Sequence, residues 1–416
     1  MVWAQAGVAA LFFVNGTTVG SWVPHIPDRA HDLGLNSAQL GATLLAGGIG
    51  CLLAMPLAGT LIGRFGSRQV TSVAGPLFPA FLACAILAPT AHWMAAFLLL
   101  VGMCGASMDV AMNAHGVLVE KHLGRRTISL FHGLFSVGCV AGSAVTSTAL
   151  AHRVSARAIA IAIAAVLAGV VLGARAVLLN DAPGARFAAA AVVSRTGAAS
   201  GPLLTRLRAL VPHGRLLVLG VLTFSAMVSE GAVADWSALL LRVTRGLGDG
   251  VVGYGFTCFA STMVLGRFTG DRIVARTGEV GALRMGGLLG VLGFGLMLGS
   301  TALPLMLLGF AVAGLGLSNA SPILYRAAGR LPGFAPGAAI AVAVGVGYAG
   351  LLAGPPSLGF LAHVAGLRSI FFVLMGLCTV LGLAAPLVRG ASRAGALALS
   401  LDASGPGDPV TAEPIL

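Results

Sequence analysis

The chain has 416 residues, of which 57% are hydrophobic and 9% are Asp, Glu, Lys or Arg. A water-soluble domain carries roughly a quarter charged residues, so this composition excludes a soluble globular fold and requires a chain threaded repeatedly through a bilayer. The formal net charge is +12, yet the basic residues stand singly or in pairs between apolar runs, without a basic stripe or aromatic platform, which excludes a nucleic-acid partner.

A helix needs about 20 mostly apolar residues to cross a hydrocarbon core of ~30 Å. Twelve stretches qualify: 3–23, 38–62, 69–90, 93–117, 127–150, 155–179, 214–240, 250–272, 279–300, 303–325, 337–362 and 366–388. The opening MVWAQAGVAALFFVNG lacks a basic n-region and reads as a retained first span, not a cleaved signal. The interval 180–213, rich in Ala, Arg, Gly and Pro, separates six spans from six. The expected organisation is a six-helix half over 1–179, a linker over 180–213, a second six-helix half over 214–388 and a disordered tail over 389–416. Nineteen of the Lys and Arg residues fall on the side of the two termini and six on the other, so both termini are expected to be cytoplasmic. The six cysteines (Cys51, Cys84, Cys104, Cys139, Cys258 and Cys378) sit inside apolar segments without metal-ligand spacing, and read as packing residues with no disulfide or metal role.

The halves repeat. Asn15-Gly16, Trp22, Leu33-Gly34 and Arg64-Phe65-Gly66 are matched by Glu230-Gly231, Trp236, Leu247-Gly248 and Arg276-Thr277-Gly278, at offsets of 215, 214, 214 and 212. Two parallel halves related by an axis along the membrane normal place a substrate site between them near the midplane. Small-xxx-small spacing at Gly59/Gly63, Gly138/Gly142, Gly266/Gly270, Gly286/Gly290 and Gly350/Gly354 is suited to close helix packing, and Pro355-Pro356 is expected to bend span 11.

Against this background the intramembrane polar groups stand out. Asp109 on span 4 shares a helical face with Gly105 and Asn113, roughly 12 Å from the cytoplasmic end of the expected span. An ionised Asp there costs about 2.5–3.5 kcal/mol on insertion scales, so a group that can take up a proton is a candidate for coupling. His132, Ser136, Cys139 and Ser143 form a stripe on span 5, and Asp109 with His132 is read either as a proton relay or as a static hydrogen bond. Glu230 falls at the middle of span 7, with Asp235 nearer the outside; Arg267 on span 8 is expected too close to the cytoplasmic end to pair with Glu230. Asn15, Thr18 and Trp22 line one face of span 1 with Leu11. Asn15, Thr18 and Trp22, together with Asn113, Ser136, Asp235, Trp236, Ser318, Asn319 and Tyr348, are candidate substrate contacts, while Trp22, Trp93 and Trp236 also suit an interfacial aromatic belt. His115 and His122 are expected at the cytoplasmic boundary. A Walker loop, zinc spacing and nucleophile elbow are all absent, so neither enzyme chemistry nor a cofactor is expected.

Twelve spans in two halves, with GTLIGRFGSR at 59–68 between spans 2 and 3, resemble the major facilitator superfamily over essentially the whole chain. Its loop motif, Gly-x-Leu-Ala-Asp-Arg-x-Gly-Arg, is matched by Gly59, Leu61, Arg64, Gly66 and Arg68; Gly63 stands where the family carries an Asp that joins a conformational latch. MDVAMNA on span 4 and FHGLFSVGCVAG on span 5 resemble the fucose-permease-like branch, whose acid and following Asn are matched by Asp109 and Asn113. Sugar–proton symporters of that branch carry a further carboxylate on span 1, where this chain has Asn15, and the span-5 Pro motif of drug antiporters is absent from 131–147. The resemblance implies an all-α membrane protein of the bacterial inner membrane, working as a monomer by alternating access. It would carry a small polar solute, a sugar or related metabolite; from their positions in the spans, Asp109, Glu230 and His132 are the residues expected to handle protons. Proton-driven export and a non-transporting solute receptor are the alternatives.

Overall fold

The computed structural model describes residues 2–124, 127–181, 214–245, 251–331 and 336–388; most of the linker and the tail expected at 389–416 lie outside them. Helix α1 (Val2–Trp22) passes through a 3-10 turn containing Pro24 into the short α2 (Ile26–Asp32). Helices α3 (Ser37–Phe65), α4 (Ser67–Ile86), α5 (Ala91–Leu123), α6 (Ile128–Ala151) and α7 (Ala156–Arg175) complete the first group. The second contains α8 (Gly214–Arg245), α9 (Tyr254–Gly299), α10 (Leu303–Leu317), α11 (Ala320–Gly329), α12 (Pro336–Ala365) and α13 (Arg368–Ala384). No strand occurs among the described residues.

Local chemistry sets several helix starts. Asn36 and Gln39 exchange side-chain and backbone hydrogen bonds at the start of α3, while Thr90 and Ser155 accept from the first turns of α5 and α7. Among the described residues, eleven segments are long and apolar enough to cross a membrane. The twelve expected spans appear as eleven because spans 8 and 9 run together in α9, which breaks at Gly278 (φ 69, ψ 168) into arms over 254–277 and 279–299. Gly66, its counterpart in the repeat, has nearly the same backbone (φ 84, ψ 156) between α3 and α4. Both are left-handed positions that only glycine adopts at little cost, so the repeat seen in the residues is also a repeat of backbone geometry.

Within the first group α1 packs on α6 and α7, and α5 on α3 and α4; within the second, α9 packs on α10 and α13, and α8 on α12. The groups meet where α3 runs along α12 and α6 along α9. Large apolar side chains such as Leu52, Leu53, Leu57, Val166, Leu288 and Leu292 point outward, as lipid requires. We call the end of the bundle carrying α2 the cap end and the end carrying residues 59–68 the motif end.

Candidate functional site

The expected boundaries of two helices were short, and both changes matter for the site. The first arm of α9 runs on to Thr277, which places Arg267 near the middle of that arm and level with Glu230 at the middle of α8. Arg267 therefore pairs with Glu230, contrary to expectation: its Nη2 donates to Glu230 Oε1 at 2.6 Å, and Nη1 reaches Ser136 Oγ on α6 at 3.4 Å. The pair is not sealed, the side chains being 35% and 29% exposed. Helix α5 runs to Leu123, so Asp109 also lies at mid-depth, deeper than the sequence boundaries implied.

Asp109 accepts from Asn113 Nδ2 at 3.2 Å, and that same amide donates to the Asp109 carbonyl at 2.9 Å. No ion pair joins Asp109 to a cation among the described residues. Tyr348 on α12 lies within electrostatic reach of Asp109, Cys51 and Tyr325, and Tyr325 on α11 within reach of Glu230 and Arg267. A polar track thus runs from Asp109 past the two tyrosines to the ion pair, with its parts drawn from both helix groups. His132 belongs to the other end of this track. It is exposed, stands in the field of Arg267 and meets Phe12 edge-on at 5.2 Å, and it makes no hydrogen bond with Asp109. The expected Asp109–His132 relay is not assembled, because α5 and α6 touch sparingly.

Other candidates lie elsewhere. Thr18 is buried and turns its hydroxyl back to the Val14 carbonyl, while Asn15 is buried with Nδ2 finding no acceptor among the described residues. Trp236 is fully buried with no acceptor for Nε1 among the described residues, so it is no part of an interfacial belt; Trp93, 56% exposed and stacked on Phe97, suits one. Trp22 is half-buried against the cores, and Asp235 makes no hydrogen bond or ion pair among the described residues. Ser318 and Asn319 hold the break between α10 and α11: Asn319 Nδ2 donates to the Gly266 carbonyl at 3.0 Å, and Ser318 Oγ to that of Leu315 at 2.7 Å.

At the motif end an acid distant in sequence caps the start of α4. The Asp181 carboxylate accepts from the Ser67 and Arg68 backbone N–H groups and from Ser67 Oγ (2.6 Å), capping α4. Arg68 donates to the Arg175 carbonyl at 2.9 and 3.2 Å and to the Asn180 side chain. His115, expected at the interface, is instead fully buried: Nε2 accepts from Leu179 N–H at 3.2 Å, so Nδ1 carries the proton toward Ser67 Oγ at 2.8 Å. Arg64 lies over the Phe65 ring at 5.2 Å, and Gly59 and Gly63 face open space. The repeat counterpart of Ser67 is Glu279, which binds Arg330 and lies 4.0 Å from Arg326.

The cap end joins the two groups directly. Asp28 pairs with Arg242, Ser143 Oγ donates to the Gly253 carbonyl (3.3 Å) and receives Thr257 Oγ1 (2.9 Å), and Thr148 bonds Tyr254 (2.9 Å). The residues that sequence reasoning missed are Arg267 as a partner, Tyr325, and the Asp181 cap. A signal existed for the first in the repeat itself, since Gly278 marks where the arm carrying Arg267 must end.

An all-helical bundle of two repeated groups, with an ion pair and a lone carboxyl at mid-depth between them, defines a multi-pass membrane transporter. The model of the Major Facilitator Superfamily matches residues 8–333, and the chain belongs to that family. It is 35% identical over 367 residues to an uncharacterised MFS-type transporter of Yersinia pestis, covering 88% of this chain and 91% of that protein. Its fold is similar to the crystal structure of the nucleoside transporter NupG (TM-score 0.72, 14% identity, 93% of this chain and 99% of that one). It is also similar to that of a D-xylose-proton symporter (TM-score 0.69, 14% identity, 92% and 97%).

Proposed function

We propose that the protein is a proton-coupled secondary transporter of the bacterial inner membrane that moves a small polar solute, a sugar or related metabolite, by alternating access. The motif end is cytoplasmic in this reading, as the Lys and Arg distribution argues, and the cap end faces outward. The carrying observation is Asp109: a carboxyl at mid-depth, between helix groups, whose one hydrogen-bond donor among the described residues is Asn113 of its own helix. A bare carboxylate there resists passage through a closed, dry intermediate, whereas a protonated one does not, so its proton biases which end opens. The named substrates of the two similar structures, a nucleoside and D-xylose, are likewise hydroxylated and polar.

The test uses the purified full chain. A screen of ligand-induced thermal stabilisation across sugars, organic acids, amino acids and nucleosides, at acidic and alkaline pH, identifies the solute. Uptake into proteoliposomes under an inward proton gradient then compares wild type with Asp109→Asn. The variant is expected to stay folded and bind but to lose gradient-driven accumulation. Undiminished accumulation in Asp109→Asn overturns the assignment. Acidification of the lumen on adding solute indicates symport, and alkalinisation indicates export by antiport.

A further inference from the structure

We propose that the transported solute is a small organic monoanion, bound by the Arg267 guanidinium in the place that the Glu230 carboxylate occupies in this structure. This rests on the transporter reading above and names its substrate class. Among the described residues Arg267 is the one basic side chain at mid-depth in the seam between the helix groups; the other Lys and Arg residues lie toward the two ends. A guanidinium keeps its charge at every accessible pH, whereas the carboxyls of Glu230 and Asp109 can each be discharged by one proton. The permanent charge of the site is therefore positive.

The consequence follows from charge balance. With Glu230 ionised, the pair is internally neutral and does not itself oppose closure of the empty site. When Glu230 takes a proton, Arg267 loses its counter-charge while partly withdrawn from water, a costly condition. An incoming carboxylate restores pairing and fits the forked donor geometry. A neutral solute leaves the guanidinium uncompensated, and a cationic one sets two positive charges side by side. One proton on Glu230 and one anion on Arg267 add no net charge, and both leave together when Glu230 re-forms its bond to Arg267. Access is available because both side chains are partly exposed. Polar neighbours stand around the guanidinium: Ser136 Oγ accepts from Arg267 Nη1 at 3.4 Å while donating to the His132 carbonyl at 3.2 Å, and the His132 ring lies in the field of Arg267. The titratable or charged groups facing Glu230 are Arg267 on α9, Tyr325 on α11 and Cys139 on α6, while Cys378 on α13 meets the neighbouring Ser229.

Matched probes test the proposal without any flux measurement: D-glucuronate, D-glucose and D-glucosamine; D-gluconate and D-sorbitol; and acetate as the minimal carboxylate. Thermal stabilisation of the detergent-purified full chain gives each apparent affinity. In at least one set the anionic member is expected to bind at least about tenfold more tightly than its neutral or cationic counterpart, the factor expected of one charge-assisted hydrogen bond. That preference should strengthen in acid. Glu230→Gln frees the guanidinium, so anion binding should become independent of pH and acetate should stabilise this variant. Arg267→Gln should abolish the preference. Since it leaves Glu230 unpaired, the double variant Glu230→Gln/Arg267→Gln is the folded control and should show the same loss. Tighter binding of glucose or glucosamine, a preference that survives in the double variant, or no anion response in Glu230→Gln each overturns the proposal. None of these results touches the transporter reading, which stands or falls on Asp109→Asn and proton-driven flux.

Discussion

The start of α4 shows how a helix end is satisfied from elsewhere in the chain. Ser67 opens α4 directly after Gly66, so its N–H and that of Arg68 emerge from a helix start without intrahelical acceptors. Asp181 reaches back to satisfy both, and His115 closes the chain of hydrogen bonds from Leu179 to Ser67. These bonds lie within one helix group, so they brace α4, α5 and the end of α7 against one another. Asp181→Ala should therefore lower stability by about 1–2 kcal/mol, the usual cost of a lost cap in a partly buried setting. Thermal unfolding in detergent reads this directly. Glu279→Ala in the second group removes ion pairs to Arg326 and Arg330 that are 44% and 42% exposed, and should cost less, under about 1 kcal/mol. Equal losses would mean that the two clusters do the same work despite their different chemistry. Of this cluster, the sequence displayed Gly66 and Arg68 through the loop motif, while Asp181 could not be found from spacing because it approaches through folding.

Helix packing shows what small-residue spacing can and cannot reveal. At the α1–α6 crossing, a Cβ on Gly16 would collide with the Phe135 carbonyl, and one on Gly20 with that of Cys139; Gly138 and Gly142 face the Phe13 and Thr17 carbonyls in return. The two backbones touch there, which gives dispersion contact that lipid cannot match. Gly59 and Gly63 have the same spacing, yet nothing stands within 4 Å of either. Spacing reports which face of a helix is small, and only the partner's position decides whether that face is used. Gly16→Val should push α1 off α6 and reduce the yield of monodisperse protein and its unfolding temperature. Gly59→Ala should leave both unchanged or slightly improved, since Ala favours helix over Gly by about 1 kcal/mol. Size-exclusion profiles and melting curves of the pair check this, and an intact Gly16→Val protein would show the crossing to be loosely packed.

At the scale of the whole molecule, the twofold repeat, the helical class and the presence of the intramembrane acids Asp109 and Glu230 were legible because lipid leaves charge and periodicity exposed in the residues themselves. The depth of Arg267 was not, because Arg272 and Arg276 look like the end of a span although the helix carries them on to Gly278. Basic side chains near a membrane surface extend toward water, so helix ends marked by the first arginines fall short. The two groups are tied at the cap end through Asp28–Arg242, Thr148–Tyr254 and the Ser143–Thr257 contact. If transport works by alternating access, these ties must part once in every cycle. The Ser143 and Thr257 hydroxyls are 2.9 Å apart, near enough for paired cysteines to form a disulfide with little backbone movement. Oxidised Ser143→Cys/Thr257→Cys protein should lose uptake and regain it on reduction, while each single variant transports normally and so excludes cross-linking to the native cysteines. Ligand stabilisation should persist in the locked form if the solute reaches the site from the motif end. Loss of flux with retained binding would identify the cap-end seam as a moving barrier. Undiminished uptake in the oxidised protein would mean that these hydrogen bonds are permanent and that the solute crosses by another route.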